Sequence, residues 1–546
     1  MKATRERNMS KVVPKRTAAW TAIVSGALAF GVGSAAAADC QGLAGKNFGD
    51  ATISAATSVA PPFNVAGKDP PTPMSVNKPF CRVEGVLKPS ADSDIKFEVW
   101  LPPESAWNGK YQGIGNGGFA GSLIYRSMDR SLKAGYAVSG TDTGHSGGPL
   151  DAAWALGHPE KIVDFGWRAI HETAVASKVI VEAYYGKPPV HTYFSGCSDG
   201  GREALMEAQR FPRDYDGIIA GAPANFWTKL LTNAVWIEQA LDQPNGWLSP
   251  EKLSIVTKAV LATCHGEGGY LDDPAQCHFD PSSLVCKPGQ SNECLSESEA
   301  ATLREIYSGA EDADGKSIFP GYPPGSESGP ATWVLWITGS DPKRTAGTLM
   351  NGFGTGYFAN MVFDKSDWRI DGQNVHDALA AADNATAQAL DAADPDLNAF
   401  NGAGGKLIQY HGWNDAAIPA QSSINYYQSV AAKFGEPGRV RSFYRLFLAP
   451  GMDHCGGGVG PNAVGGVFGL PAPSYDPAHD VVAALAHWVE DGVAPGQIIA
   501  TRYRDNDPTK GIEAQRPWCA YPATARFSGQ GDRSAATSFV CAERPQ

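Results

Sequence analysis

The chemistry available to this chain starts at a serine. Residues 190–201 read V-H-T-Y-F-S-G-C-S-D-G-G, so Ser198 sits within Gly196-Cys197-Ser198-Asp199-Gly200, a G-x-S-x-G pattern. A serine hydroxyl attacks an acyl carbon only when a base takes its proton and donors receive the oxyanion. The small residues on both sides permit a sharp turn. The β-forming run Val190–Ser195 before it and the helix-forming run Arg202–Phe211 after it predict strand, turn and helix. That is the setting of a nucleophile elbow, with free N–H groups at the helix N-terminus beneath the hydroxyl. By itself the pentapeptide reads equally well as a glycine-rich turn with an incidental serine.

Two later strand ends supply partners. Lys406–Tyr410 runs into His411-Gly412-Trp413-Asn414-Asp415, and Arg445–Leu448 into Ala449-Pro450-Gly451-Met452-Asp453-His454-Cys455. The order Ser198, Asp415, His454 is the one α/β-hydrolases use. His454 would act as general base and then return the proton to the leaving alcohol, while Asp415 would fix the imidazole tautomer. Asp453, His411 and His145 compete for these roles; Asp453, next to His454, is expected to point away. If Ser198 and His454 meet, their neighbours Cys197 and Cys455 come close enough to bridge. A loop that long is worth about 5 kcal/mol in the chain-entropy treatment. The alternative is a pair of buried thiols.

These residues need a scaffold. Ile95–Leu101, Lys110–Ile114, Tyr136–Gly140 and Tyr215–Ala220 read as strands, and Phe165–Tyr185 as a helix closed by Gly186. Strands alternating with helices predict an α/β fold with a mostly parallel sheet. Cys40–Cys81, rich in Ala, Pro and Thr, is expected to be extended and partly irregular. After Pro223 the rhythm breaks. Residues 224–400 hold two close cysteine pairs and Trp227, Trp236, Trp247, Trp333, Trp336 and Trp368, and read as an insertion. The α/β pattern resumes at Lys406, and Val481–Glu490 is a further helix. The expected division is a signal peptide at 1–38, core at 39–223, inserted domain at 224–400 and core at 401–546.

The 546 residues carry a formal charge of −12, and residues 1–38 hold six Lys/Arg against one Glu. A basic start, the apolar run from Ala18 to Val32 and Ala36-Ala37-Ala38 predict a cleaved secretory leader. Its removal takes the charge from −12 to −17. Such a chain is a poor nucleic-acid binder, and nothing anchors it to a membrane once the leader is gone. Ten cysteines beyond the leader suit a secreted or periplasmic protein. Cys40/Cys81, Cys264/Cys277, Cys286/Cys294 and Cys519/Cys541 lie near one another, but spacing does not establish connectivity.

Four motifs together carry a resemblance: G-N-G-G-F-A-G at 115–121, G-C-S-D-G-G at 196–201, H-G-W-N-D at 411–415 and P-G-M-D-H-C at 450–455. The chain resembles the tannase and feruloyl esterase family of α/β-hydrolases, which includes hydrolases of terephthalate monoesters. The resemblance implies an α/β-hydrolase core with a large inserted lid domain and catalytic Ser198, Asp415 and His454. It implies an oxyanion hole from the backbone N–H groups of Gly118 and Asp199. It also implies disulfides Cys197–Cys455, Cys40–Cys81, Cys264–Cys277, Cys286–Cys294 and Cys519–Cys541. The family's Asp-rich calcium loop is shortened here to residues 265–276, with Glu267, Asp272 and Asp273 as its acids. No calcium site, and no other metal or cofactor, is therefore expected.

The expected activity is hydrolysis of small aromatic esters, feruloyl or galloyl, through an acyl-enzyme. Terephthalate monoester hydrolysis is one alternative. A non-catalytic binding protein for polyphenol or cell-wall polysaccharide is another. The lid tryptophans with Phe353, Tyr357 and Phe358 are expected to wall an aromatic slot, although most rings in any domain are core.

Overall fold

The β-branched and aromatic run that predicts a strand over Val190–Ser195 forms an inner strand of a ten-stranded sheet, shifted to His191–Cys197 with Val190 exposed before it. The computed structural model describes residues 39–543 except 66–72, 291, 330, 346 and 436; the predicted leader at 1–38 lies outside the described residues. In chain order the strands are β1 (Asn47–Phe48), β2 (Ala51–Val59), β3 (Phe80–Leu87), β4 (Ile95–Leu101), β5 (Lys110–Ile114), β6 (Ala137–Thr141), β7 (His191–Cys197), β8 (Gly217–Gly221), β9 (Lys406–Gly412) and β10 (Tyr444–Ala449). They lie in the spatial order β1-β2-β3-β4-β6-β5-β7-β8-β9-β10.

From β6 to β10 every neighbouring pair is parallel, as βα alternation requires. From β1 to β4, and between β4 and β6, pairing is antiparallel, so the sheet is mixed rather than mostly parallel. Part of Cys40–Cys81, expected to be partly irregular, is the nine-residue β2 paired with β3. Its sequence A-T-I-S-A-A-T-S-V hides the alternation, because most inward positions are alanines rather than large apolar residues.

Helices cover both faces. α1 (Ala169–Tyr185) ends at Gly186 in a left-handed cap, as its sequence signalled, and α2 (Asp199–Arg210) follows β7 directly. The regular structure of residues 224–400 is helical, with α4 (Leu349–Tyr357) and α5 (Val375–Leu390) both packed on α3 (Trp227–Leu241). Their core is continuous with Phe119, Phe165 and Ala416–Ile418 of the sheet's loops, so this segment lies over the strands' carboxyl ends within one compact unit. α6 (Gln421–Phe434) follows β9, and α7 (Val481–Asp491) packs on β8 and β9. Among the described residues no helix is long and apolar enough to cross a membrane.

Candidate active site

Ser198 stands where β7 turns into α2, with φ +66° and ψ −121°. A non-glycine residue pays of order 1–3 kcal/mol for such a conformation, so surrounding bonds must hold it. The Ser198 N–H donates to Gly221 O at 3.0 Å, and its carbonyl accepts from Arg202 and Ala224, each at 3.1 Å. The flanking glycines are steric necessities. A Cβ on Gly196 would lie 2.0 Å from Gly200 O, and one on Gly201 2.3 Å from Gly221 O.

Beneath the turn, buried charge is only partly tied down, with one oxygen each of Asp199 and Glu203 and both of Glu207 lacking a hydrogen-bond partner. Arg202, 0 % exposed, donates to Asp199 Oδ1 at 2.7 Å and to the carbonyls of Gly166 and Phe165 at 2.5 and 3.0 Å. Burial pushes the Asp199 carboxyl up to about 6 against the pull of that guanidinium. Glu203 accepts the Asn116 N–H at 2.9 Å, and the Asn116 amide donates to the Ser122 and Thr141 carbonyls. This pins the 115–118 loop to the elbow helix. Gly118 in that loop has φ +60°, and a Cβ there would sit 2.3 Å from Pro149 O. The Glu203–Asn116 contact has no local sequence signal, because the two residues are 87 apart in the chain.

Asp415 and His454 come from the loops after adjacent parallel strands. The loops after β9 and β10 are stitched by Trp413 N–H to Ala449 O and Asn414 N–H to Met452 O, both 2.9 Å. His454 Nδ1 lies 2.7 Å from Asp415 Oδ2. Asp415 Oδ1 accepts the N–H groups of Ala417 and Ile418 at 2.8 and 2.9 Å. Burial opposes its ionisation, but His454 and His411 hold the carboxyl well below the usual range.

His411, considered only as a rival base, proves to be a partner of the acid. Its Nε2 bonds Ile418 O at 2.8 Å and lies 3.2 Å from Asp415 Oδ2. Its Nδ1 meets Ser423 Oγ at 2.7 Å, Ser423 accepts from Gln409, and Gln409 accepts from the Tyr444 hydroxyl. The spacing of four in H-G-W-N-D was the only available signal. Asp453 is 9 % exposed, and burial and the nearby Asp415 push its carboxyl up to about 7. His145 is a loop tie: it bonds Phe119 O at 2.7 Å, stacks on Trp154, and burial holds it down to about 4.

Ser198, Gly118 and His454 border one open cleft. Ser198, Gly118 and Asp199 border a second, much tighter recess. Cys197 and Cys455 are bonded, with Cα atoms 6.0 Å apart across a separation of 258 residues, and join the Ser198 turn to the His454 loop. The other four bonds are Cys40–Cys81, Cys264–Cys277, Cys286–Cys294 and Cys519–Cys541.

From the insertion, Trp336 lies edge-on to the His454 ring with centroids 5.4 Å apart and stacks on Phe353. Of the rings expected to wall a slot, Trp227, Trp336 and Phe353 border the cavities. Trp333, Tyr357 and Phe358 are fully buried core. In the Cys264–Cys277 loop, Arg516 donates to Asp272 at 2.6 Å and Arg533 to Glu267. Guanidinium groups thus occupy two of three acids, a donor set that does not fit a cation wanting about six to eight oxygens.

Known proteins resemble this chain in sequence and fold. The family described as "Tannase and feruloyl esterase" matches residues 81–542. A protein of Xanthomonas campestris named an uncharacterized esterase is 38% identical, covering 94% of this chain and 92% of its own. A probable feruloyl esterase B-2 of Aspergillus terreus is 32% identical, covering 86% and 87%. The crystal structure of feruloyl esterase B from Aspergillus oryzae superposes with TM-score 0.83 at 28% identity, covering 91% of this chain and 98% of that one. Tannin acyl hydrolase from Aspergillus niger shares the fold, with TM-score 0.70 at 22% identity. The chain therefore belongs to the tannase and feruloyl esterase family, an α/β-hydrolase that acts on carboxylic esters.

Proposed function

We propose that the chain is an exported serine esterase that cleaves esters of aromatic carboxylic acids through an acyl-enzyme. One observation carries the reading: His454, bonded to Asp415 at 2.7 Å, borders the same cavity as Ser198, and a disulfide joins their neighbours. Ser198 Oγ attacks the ester carbonyl as His454 takes its proton. The oxyanion is received by the N–H groups of Gly118 and of Asp199, the latter a first-turn donor that helix geometry leaves free. Collapse expels the alcohol, protonated by His454, and water activated by the same ring releases the acid.

Asp415, held anionic, stabilises the imidazolium and keeps Nε2 turned to the serine. The 224–400 segment acts as the lid, its Trp336 covering the imidazole. Family membership supports the ester chemistry, the apolar rings around Ser198 support an aromatic substrate, and five disulfides support export. Purified protein is expected to hydrolyse methyl ferulate with Ser198→Ala inactive; equal rates for the two would refute the proposal.

A further inference from the structure

Beyond His454 the chain returns to the open cleft and holds an aromatic ring at its border. That ring belongs to Phe468, whose φ of +63° is a conformation non-glycine residues avoid unless their surroundings impose it. Two devices impose it here. The Arg130 guanidinium donates to Gly466 O and, at 2.9 Å, to Gly469 O, one carbonyl on either side of Phe468. Within the loop the Gly465 N–H donates to Leu470 O at 3.1 Å, and Val467 is buried.

The ring so held lies on Gly117, where an added Cβ would come 2.9 Å from Phe468 Cζ. Gly469 packs on the residue after Cys455, since a Cβ on Gly456 would come 3.1 Å from Gly469 Cα. Phe468 thus links the loop carrying Gly118 to the loop carrying His454, yet it stays 44 % exposed.

Resting on the serine-esterase reading above, reaction chemistry says what meets this ring. The imidazole that deprotonates Ser198 hands its proton to the departing alcohol, so the alcohol leaves on the His454 side. His454 borders the open cleft and not the tighter recess, and Phe468 and Leu150 border that same cleft. Leu150 too is 44 % exposed, so two large apolar side chains face water where the alcohol passes. Exposed apolar groups gathered at a groove mark a binding surface. Among the described residues bordering this cleft there is no Asp, Glu, Asn, Gln, Lys or Arg. A polyhydroxylated alcohol would give up water there for few side-chain partners, whereas an apolar one would take both exposed side chains out of water.

We infer that the alcohol half of the substrate is apolar, carrying an alkyl chain or aryl ring rather than a sugar, and that Phe468 selects it. Arg130 is the positioning residue, acting through the two loop carbonyls.

The test is kcat/KM on three ferulates of primary alcohols, the methyl, benzyl and glucose 6-O-esters, which share one acyl-enzyme. The benzyl ester is expected to exceed the glucose ester by about tenfold or more. Phe468→Ala is expected to lower the benzyl-to-methyl ratio by about tenfold, and Phe468→Leu to restore part of it. A merely structural loss would lower all three esters alike and leave that ratio where it was. Arg130→Met is expected to lower the same ratio; the Phe468 variants decide alone if it does not fold. A glucose ester matching or exceeding the benzyl ester, or a ratio unmoved by Phe468→Ala, would overturn the inference while leaving the esterase intact. Failure to hydrolyse any of the three would overturn the esterase reading and the inference with it.

Discussion

His411 Nε2 and His454 Nδ1 approach the same carboxylate oxygen, Asp415 Oδ2, at 3.2 and 2.7 Å. One imidazole faces the cavity, and the other is wholly enclosed behind the acid. His411 therefore orients Asp415 rather than reacting. His411→Ala is expected to lower kcat by about 10- to 100-fold through misplacement of the acid, with KM little changed. Steady-state kinetics checks this, with His411→Gln expected to recover part of the loss through its amide donor. An unchanged kcat would show that the acid needs no such support.

The Cys197–Cys455 bond closes a loop of 258 residues and lies beside both Ser198 and His454. Replacing both cysteines with alanine is expected to cost about 2–5 kcal/mol and to remove most activity, measured by denaturant melts and ester hydrolysis. Both sulfurs are buried, with Cys197 at 0 % and Cys455 at 4 % exposure. Reductant should therefore act slowly on the native protein and quickly once denaturant opens it.

Asp453 gives a pH signature. Burial and the Asp415 charge raise its carboxyl to about 7, so between the ordinary carboxylate range and that pH the folded state holds a proton the unfolded state has lost. Stability from this group thus falls as pH rises through the window and levels off above it. Asp453→Asn removes the penalty. Its Tm should match the parent near pH 4 and exceed it by about 2–4 °C at pH 8, since a three-unit shift is worth at most about 4 kcal/mol. A variant that gains equally at both pH values would contradict the assignment.

Arginines pair with two of the three acids of the Cys264–Cys277 loop, Arg516 with Asp272 and Arg533 with Glu267. Dialysis against EDTA is expected to leave Tm and kcat at their untreated values. A fall that calcium reverses would mean that the loop binds metal despite those pairs.

The candidate catalytic residues are legible in the sequence because each sits at a strand end. Ser198, Asp415 and His454 each follow a short β-forming run, and such positions collect at one edge of a parallel sheet. What supports them was not readable. The Glu203–Asn116 pin spans 87 residues, and the Tyr444–Gln409–Ser423–His411 relay joins two strands and a helix. No local pattern encodes contacts of that kind. The antiparallel half of the sheet was missed because β2 buries mainly alanines. The pocket rings could not be told from core rings, since Trp336 and Trp333 differ only in which way one helical turn presents them.

The central claim is that Ser198 carries the acyl group. Rapid mixing with p-nitrophenyl cinnamate, followed by acid quench and peptide mass analysis, tests it most directly. The account predicts a burst approaching one nitrophenolate per molecule and a cinnamoyl mass on the peptide containing Ser198, both absent in Ser198→Ala. Turnover without a covalent intermediate in the wild type, or the acyl mass on another residue, would contradict it.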